Sequence, residues 1–258
     1  MTHSIDKLYG GKISFSFPIP RLILICGPCR VGTTALSNVF AKAGIESHMQ
    51  PMKSARRAMD TGENVSPWKI GVSGGKFVAV KETFGPHGQS EYFEPLEILL
   101  GMGYPKEKLA VIPILREPAQ VFCSWKVKFG VAEIKKLVQA YELTRQVKEK
   151  AEAGGISVFP YVHEAIRDNQ PSAVLAMLFE RLGLPIHQLS MTLSASWGSF
   201  KGSENVFFYD DPPPRFLEGI KERGKYEYKD RAVSQDDIEL VESVPRLKEI
   251  YDSFYREC

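Results

Sequence analysis

Short apolar runs alternate with segments of helical spacing over the first half of the chain. Three of the runs are nearly continuous, as expected for strands buried on both faces of a parallel sheet: Arg21 to Cys26, Phe77 to Glu82 and Leu109 to Leu115. Pro113 lies inside the third run and cannot donate to a strand ladder, so we expect a bulge there. The pattern predicts an α/β fold, with a doubly wound parallel sheet flanked by helices.

Helical spacing continues between and beyond these runs. We expect helices over Thr33 to Ala43, Glu91 to Met102, one or two long ones within 119–153, Pro171 to Leu182, and a last one from Ser234 towards Tyr255. Ser157 to Val162 reads as one more strand, and the polar residues 51–75 predict a surface excursion. The C-terminal part is therefore expected to be mainly helical.

Composition is compatible with one folded domain. The chain has 258 residues, of which 43% are hydrophobic and 25% charged, and we expect a single domain over 1–258. Its nucleotide-binding core would cover about 20–125 and a helical region about 126–258. The formal net charge of +2 is too small to argue for a nucleic-acid partner.

Targeting and cysteine signals are weak. The first twenty residues contain no continuous apolar segment, and no run reaches the ~18 to 20 apolar residues of a membrane helix, so we expect a cytoplasmic protein without an integral membrane segment. Cys26 and Cys29 form a C-x-x-C, but no second Cys/His pair follows at zinc spacing. Reduced thiols fit this pattern best.

A glycine-containing loop joins the first strand to the first helix. Gly27 to Thr34 keeps both glycines and the hydroxyl of G-x-x-x-x-G-K-[ST], with Thr33 at the lysine position. Its amide groups and the helix N-terminus suit an anion, although an ordinary structural turn remains an alternative. The candidate binding residues are Pro28, Cys29, Arg30, Val31, Gly32, Thr33, Thr34 and Ala35.

The absent lysine separates two kinds of chemistry. In kinases and nucleotide triphosphatases that lysine reaches the β- and γ-phosphates, and Mg²⁺ offsets the polyphosphate charge. Here the only cation in the loop is Arg30, and none of the three predicted strands ends in a clear metal-binding aspartate. Metal-dependent phosphoryl transfer is disfavoured, and no metal ligand is assigned.

The loop resembles a known family. Arg30 to Leu36 (RVGTTAL) is similar to the 5′-phosphosulfate loop of sulfotransferases that use 3′-phosphoadenosine 5′-phosphosulfate (PAPS). Val111 to Lys126 resembles the family's 3′-phosphate element, which implies that Arg116 and Ser124 hold the 3′-phosphate; the alternative for Arg116 is a strand-end salt bridge. Tyr161 to Pro185 is a looser match, with either Tyr161 or His163 at the family's tyrosine position.

The resemblance implies a sulfotransferase fold related to that of P-loop proteins, with PAPS as co-substrate and 3′-phosphoadenosine 5′-phosphate (PAP) as product. Arg30 would stabilise the leaving phosphate, and Lys81 would assist the bridging oxygen. Glu82 is the first candidate for the base, ahead of His87 and His48. Structural pairing of Glu82 is an equal alternative, and a solvent-facing or capping role is favoured for each histidine.

The acceptor is less well defined. A hydroxyl or amine of a small molecule, sugar or lipid would fit, and the resemblance leaves a homodimer open. Phe200 to Gly202 and Arg223 to Lys225 are weak candidates for the family's C-terminal 3′-phosphate loop. A small-molecule or nucleoside kinase and a non-catalytic nucleotide-binding protein are the alternative functions.

Overall fold

The computed structural model describes residues 13–165, 171–185, 205–209 and 232–258. Its strands are β1 Ile13–Phe15, β2 Arg21–Pro28, β3 Glu46–Met49, β4 Trp68–Ile70, β5 Phe77–Phe84, β6 Leu109–Leu115, β7 Ser157–Val158, β8 Tyr161–Val162 and β9 Val206–Phe208. Its helices are α1 Thr33–Lys42, α2 Pro51–Thr61, α3 Pro95–Gly101, α4 Pro118–Phe129, α5 Ile134–Ala153, α6 Pro171–Leu182, α7 Gln235–Glu242 and α8 Pro245–Glu257.

The main sheet is parallel, in the order β7-β6-β2-β5-β3-β9. β8 also pairs with β6, on the same side as β7 and closer to the carboxyl end of β6. From β2 the chain moves two places to β3, returns to β5, and then crosses to β6 on the other side of β2. In open parallel sheets, ligands bind outside the carboxyl ends of the strands, where the strand order changes direction. The predicted α/β fold is confirmed, and its topology directs attention to the end of β2.

Strands β2, β5 and β6 form the buried centre of the sheet, and the sequence located all three. β2 and β5 each continue two residues beyond the predicted end, because Gly27 pairs with Thr83 and Pro28 with Phe84. Gly27 allows this extension, since a Cβ there would lie 2.1 Å from the carbonyl oxygen of Ile114. The loop that follows β2 is correspondingly short.

Pro113 is accommodated without a bulge in its own strand. The carbonyl groups of Val111 and Leu115 accept hydrogen bonds from the chain segment that lies on the outer side of β6. The backbone N–H and C=O groups of a strand point to alternate sides from one residue to the next, so the backbone of Pro113 also faces this outer segment. The outer neighbour is interrupted there, between β7 and β8. The proline's missing N–H therefore falls opposite a gap in the ladder.

Most of the predicted helices are present. α1 ends at Lys42, two residues before Gly44, which has φ +79°, and the long segment after residue 118 divides into α4 and α5 at Gly130. Ser234 caps α7 by accepting a hydrogen bond from the Asp237 N–H, but the expected single last helix is broken before Pro245 into α7 and α8. In the described part of the chain, no helix is long and apolar enough to cross a membrane.

The expectation of a surface excursion over 51–75 was wrong about secondary structure, although residues 60–67 and 72–75 are mostly exposed. This segment contains helix α2 and strand β4, and strand β3 lies just before it. Hydrophobic periodicity did not reveal β3 and α2 because both bury polar side chains, namely Glu46 and His48 in β3 and Lys53 in α2. The helix expected from Glu91 begins later, at Pro95, where the Glu94 carboxylate accepts from the N–H groups of the first turn.

Candidate functional site

The loop between β2 and α1 has an unusual backbone. Arg30 and Gly32 have φ of 78° and 98°, which places both in the left-handed region. Gly32 occupies the N-cap of α1 and has no side chain to cap it, so the N–H groups of Thr33 and Thr34 begin the helix at the carboxyl edge of the sheet. Left-handed residues within such a loop turn amide groups towards a common concavity, an arrangement suited to an anion.

Arg30 and Ser124 meet at this loop. The Arg30 guanidinium Nε donates to the Ser124 Oγ over 3.0 Å, although the two residues are far apart in the chain. Ser124 is buried in α4 and Arg30 is half-buried. The structure thus brings Arg30 and Ser124 together, although the sequence resemblance assigned Arg30 to the 5′-phosphate and Ser124 to the 3′-phosphate.

Further contacts hold the loop in place. The indole N–H of Trp125, which is fully buried, donates to the carbonyl oxygen of Cys29 over 2.8 Å. The Cys29 thiol lies 3.1 Å from the Thr83 hydroxyl and 2.8 Å from the carbonyl oxygen of Gly85. All four cysteines are free, so the C-x-x-C forms no disulfide.

His163 lies against the loop. A Cβ on Gly32 would come within 2.5 Å of the imidazole Nδ1 of His163, so the ring occupies the space that a larger residue at Gly32 would need. The backbone N–H of His163 donates to Leu115 at the end of β6 over 2.9 Å. The sequence resemblance gave His163 as an alternative to Tyr161 at the family's tyrosine position, and the fold places His163 at the predicted binding loop.

Arg116 is held beside a buried carboxylate. Its Nε lies 3.9 Å from Oε1 of Glu164. The other Glu164 oxygen accepts from the Tyr251 hydroxyl over 3.0 Å, and the Glu117 N–H donates to Oε1 over 3.1 Å. The strand-end ion pair considered for Arg116 is present at the carboxyl end of β6.

Glu82 is completely buried at the end of β5. Its carboxylate oxygens accept from the backbone N–H groups of Met52 at 2.7 Å and Lys53 at 3.3 Å, in the first turn of α2. Burial raises the pKa of Glu82 to about 8, against the lowering effect of these hydrogen bonds and of Lys81. Glu82 therefore supplies α2 with the cap that its N-cap residue, Gln50, does not provide.

Lys81 is also buried, but strand alternation directs it to the opposite face of the sheet from Glu82. Its backbone carbonyl accepts from the Gln50 N–H over 2.8 Å.

Lys53 is a buried cation that sequence reasoning missed. Its ammonium lies 3.4 Å from the Cys29 sulfur, 2.5 Å from the Gly85 carbonyl oxygen and 3.3 Å from the Thr83 hydroxyl. It also pairs with Glu91 over 3.1 Å. No sequence signal marked it, because the helix that carries it was itself read as a polar excursion.

Glu91 balances the charge of Lys53. Burial opposes ionisation of this carboxyl, but Lys53 and Arg57 outweigh it and lower the pKa of Glu91. The backbone N–H of His87 donates to the same carboxylate over 3.1 Å, whereas the His87 ring is exposed and packs edge-on against Phe129. His87 is thus near the loop that follows β5, with its imidazole on the surface.

His48 lies in a buried chain of polar groups. Its Nε2 is 2.7 Å from Oε1 of Glu46, and its Nδ1 is 2.5 Å from the hydroxyl of Tyr209. The ring also stacks on Phe207 with centroids 5.0 Å apart. Of the histidines considered for catalysis, this one has both ring nitrogens engaged by named partners.

Several predicted features fall elsewhere. Phe200 to Gly202 and Arg223 to Lys225 lie outside the described residues. Among the residues that the structure describes, no group of three or more His, Cys, Asp and Glu side chains is arranged to hold a metal ion.

Comparison with solved structures finds a likeness in fold. The chain is similar to the sulfotransferase domain from the Synechococcus PCC 7002 olefin synthase, with 15% identity, a TM-score of 0.43, and coverage of 88% of this chain and 95% of that one. No protein-family model matches the sequence. No curated protein matches it either. Because the identity and the TM-score are both low, we base the function below on the residues of this chain.

Fold and site together define a class. The protein is an α/β protein with a parallel sheet flanked by helices. Its candidate site lies at the carboxyl edge of that sheet, around a loop with an arginine in the left-handed region.

Proposed function

We propose that this protein is a PAPS-dependent sulfotransferase. The observation that carries the proposal is Arg30, which is held in a left-handed conformation between β2 and α1 with its guanidinium on Ser124. A strained non-glycine residue at a strand-to-helix turn is more readily explained by a functional side chain than by packing. Because this loop resembles a phosphosulfate-binding loop in sequence, we propose that the bound anion is the 5′-phosphosulfate of PAPS.

The donor set fits such a nucleotide. Arg30, Thr33, Thr34 and Ser124 offer a guanidinium and hydroxyl groups, and the first turn of α1 adds backbone amides. These are hydrogen-bond donors of the kind that phosphate and sulfate recognition uses. The 5′-phosphosulfate would lie at the loop and the 3′-phosphate near Ser124 and Arg116.

Sulfuryl transfer makes modest demands on this site. A singly charged sulfuryl group moves in line to an acceptor oxygen or nitrogen, so the leaving phosphate needs cationic stabilisation and the acceptor needs a proton acceptor. Arg30 and the α1 amides serve the phosphate, and Lys81 is proposed to assist the bridging oxygen. Glu82 and His87 remain the proposed proton acceptors from the sequence, and the acceptor is a hydroxyl or amine of a small molecule, sugar or lipid.

A kinase is the main competing function. A kinase would bind ATP with Mg²⁺ and would need a lysine to reach the terminal phosphates. Thr33 occupies that position in this chain, which favours the sulfonated nucleotide. A non-catalytic nucleotide binder would share the affinity and lack the turnover.

Ligand-dependent stabilisation distinguishes these functions without knowledge of the acceptor. A ligand that binds only the native state raises the unfolding temperature with its concentration. We expect PAP in the presence of EDTA to raise it, and ATP with Mg²⁺ at the same concentration to raise it much less. A preference for Mg-ATP would favour the kinase, and no response to either nucleotide would contradict nucleotide binding. PAP binding without transfer from PAPS to any hydroxyl or amine acceptor would identify a binder.

A further inference from the structure

Lys53 is a buried ammonium group whose role the proposed function does not yet include. Its side chain is 1% exposed, and its partners lie outside α2, at the end of β5, in the chain that follows β5, and in the loop after β2. An ammonium has three N–H donors. One reaches the Gly85 carbonyl oxygen and one the Glu91 carboxylate, so the third is shared between the Thr83 hydroxyl and the Cys29 sulfur.

Net stability alone is a poor explanation for an ammonium at this position. A buried ion pair gives up the hydration of both charges, so apolar side chains of similar size often stabilise a protein as well or better. Glu91 also does not depend on Lys53 alone, since the Arg57 guanidinium contacts the same carboxylate over 2.6 Å. The directed donors of Lys53 are therefore better explained by the groups that they hold in place.

Cys29 is held both through its backbone and through its sulfur. Its N–H donates to the Phe84 carbonyl over 3.0 Å, and its carbonyl accepts from the Trp125 indole N–H over 2.8 Å. A thiol has one proton, and the Gly85 carbonyl oxygen, 2.8 Å from the sulfur, can only accept it. The sulfur then accepts in turn from the Lys53 ammonium, 3.4 Å away.

The orientation of Cys29 determines where the next residue begins. The Cys29 carbonyl belongs to the same planar peptide group as the Arg30 N–H, so the hydrogen bond from Trp125 orients that plane. From this plane Arg30 takes its φ of 78°, and its guanidinium contacts Ser124, the neighbour of Trp125 in α4. A displacement of Cys29 would therefore be transmitted to the guanidinium.

Gly85 leaves little room for adjustment on the other side of Cys29. A Cβ there would lie 2.7 Å from the Tyr92 hydroxyl and 2.9 Å from the Trp125 ring, so both side chains pack directly against the backbone of this residue. The carbonyl that accepts from Lys53 thus belongs to a tightly packed turn.

We propose that Lys53 is a positioning residue for the loop after β2. Through Gly85 and Cys29 it keeps the Arg30 guanidinium in place for the 5′-phosphosulfate, and in this respect the inference rests on the proposed sulfotransferase function. Lys53 acts without touching the nucleotide, because its donors are engaged by protein groups. Its loss should therefore lower nucleotide affinity by way of Arg30.

A double-mutant cycle separates this role from a general effect on the fold. Lys53→Met and Arg30→Ala are made singly and together, and the affinity for PAP in EDTA is measured by calorimetry. We expect Lys53→Met to weaken binding about tenfold in the otherwise wild-type chain and less than about twofold beside Arg30→Ala. The same factor in both backgrounds would overturn the inference, as would no effect in either.

Thr83→Val tests the same contacts without removing a charge, and it replaces Lys53→Met if circular dichroism shows that variant to be unfolded. The Thr83 hydroxyl lies 3.3 Å from the Lys53 ammonium and 3.1 Å from the Cys29 sulfur, and valine keeps its shape. We expect PAP affinity to fall about threefold, and the effect to disappear beside Arg30→Ala. Equal affinity in Thr83→Val and wild type would contradict the positioning role.

Lys148→Met and Thr144→Val are the matched controls. The Lys148 side chain is 12% exposed and pairs with Glu152 and Glu257, and the buried Thr144 hydroxyl donates to the Ala140 carbonyl within α5. None of these partners belongs to β5 or to the loop after β2. Both variants should therefore bind PAP as wild type does.

Nitrogen NMR of the Arg30 Nε–H group gives a readout that needs no nucleotide. Its signal should move in Lys53→Met and Thr83→Val and stay unchanged in the two control variants. An unmoved signal in Lys53→Met would overturn the positioning role. Failure of wild type to bind PAP would instead overturn the sulfotransferase function, and the NMR signal would still decide whether Lys53 holds Arg30 in place.

Discussion

Arg30 combines a strained backbone conformation with the anion-binding role that we propose for it. Its φ of 78° lies in the left-handed region, where a side chain destabilises the backbone by ~1 to 2 kcal/mol. Glycine would remove this strain, yet the chain carries an arginine whose guanidinium contacts Ser124. We attribute the arginine to anion binding.

Two variants separate strain from chemistry. Arg30→Gly and Arg30→Ala both remove the guanidinium, but only glycine adopts the left-handed conformation without strain. We expect Arg30→Gly to be more stable than Arg30→Ala by about 1 kcal/mol in urea unfolding, with PAP affinity reduced in both. Equal stability of the two variants would contradict a strained backbone at this position.

Glu82 makes a pH-dependent contribution to stability. Burial raises its pKa in the folded state to about 8 from an ordinary value of 4.5, so between these pH values the folded protein holds a proton that the unfolded chain releases. Its contribution is fully present below pH 4.5 and is lost as pH rises towards 8. The slope is at most about 1.4 kcal/mol per pH unit.

Glu82→Gln provides the corresponding measurement. Glutamine has no proton to release, so the difference in unfolding free energy between wild type and variant should change in favour of the variant as pH rises from 5 to about 8. Other groups that titrate in this range contribute to both proteins and cancel in the difference. A difference that is constant with pH would mean that Glu82 is ionised throughout.

At the level of elements, predictability followed the nature of the buried side chains. β2, β5 and β6 are buried apolar runs, and the sequence located each of them within two residues. β3 and α2 were missed because their burial depends on hydrogen bonds and ion pairs between distant residues, such as Lys53 with Glu91. A window of sequence contains the polar residue and not its partner, so periodicity cannot identify such elements.

The close approach of β2 and β6 gives a prediction at this scale. A Cβ on Gly27 would lie 2.1 Å from the Ile114 carbonyl oxygen, and a backbone atom cannot move aside as a side chain can. We expect Gly27→Ala to lower the unfolding free energy by about 2 kcal/mol or more and to weaken PAP binding, because the displaced strand end carries the loop.

Gly88→Ala is the matched control. Within the described part of the chain, and apart from its sequence neighbours, the one atom that a Cβ there would approach within 4 Å is the Ser90 hydroxyl oxygen at 3.6 Å, an ordinary contact. Its unfolding free energy and PAP affinity should stay close to those of wild type. Equal effects of the two substitutions in urea unfolding would show that β2 and β6 are not tightly apposed at Gly27.

For the whole molecule, topology brings the separate sequence signals together. The loop after β2, the ends of β5 and β6, and the start of α4 all meet at the carboxyl edge of the parallel sheet. The sequence could place Arg30, Glu82, Arg116 and Ser124 at this edge, since each follows or ends a predicted strand or lies in the adjacent helix. It could not predict the contact of Arg30 with Ser124, because that depends on the packing of α4.

The contacts among Glu46, His48 and Tyr209 could not be predicted from the sequence for the same reason. These residues come from β3 and from the position after β9, which are distant in the chain and adjacent in the sheet. Only the strand pairing brings the phenol to the imidazole.

The central claim is that the loop around Arg30 binds a bisphosphorylated nucleotide without metal. A calorimetric titration of wild type and Arg30→Ala with PAP, in EDTA, tests it directly, with Arg56→Ala as the control because that guanidinium donates to the Ser90 carbonyl outside the loop. Loss of a charge-assisted hydrogen bond should weaken binding by roughly tenfold or more in Arg30→Ala and leave Arg56→Ala close to wild type. The same PAP affinity in wild type and Arg30→Ala, or no binding by wild type, would contradict the assignment of this loop.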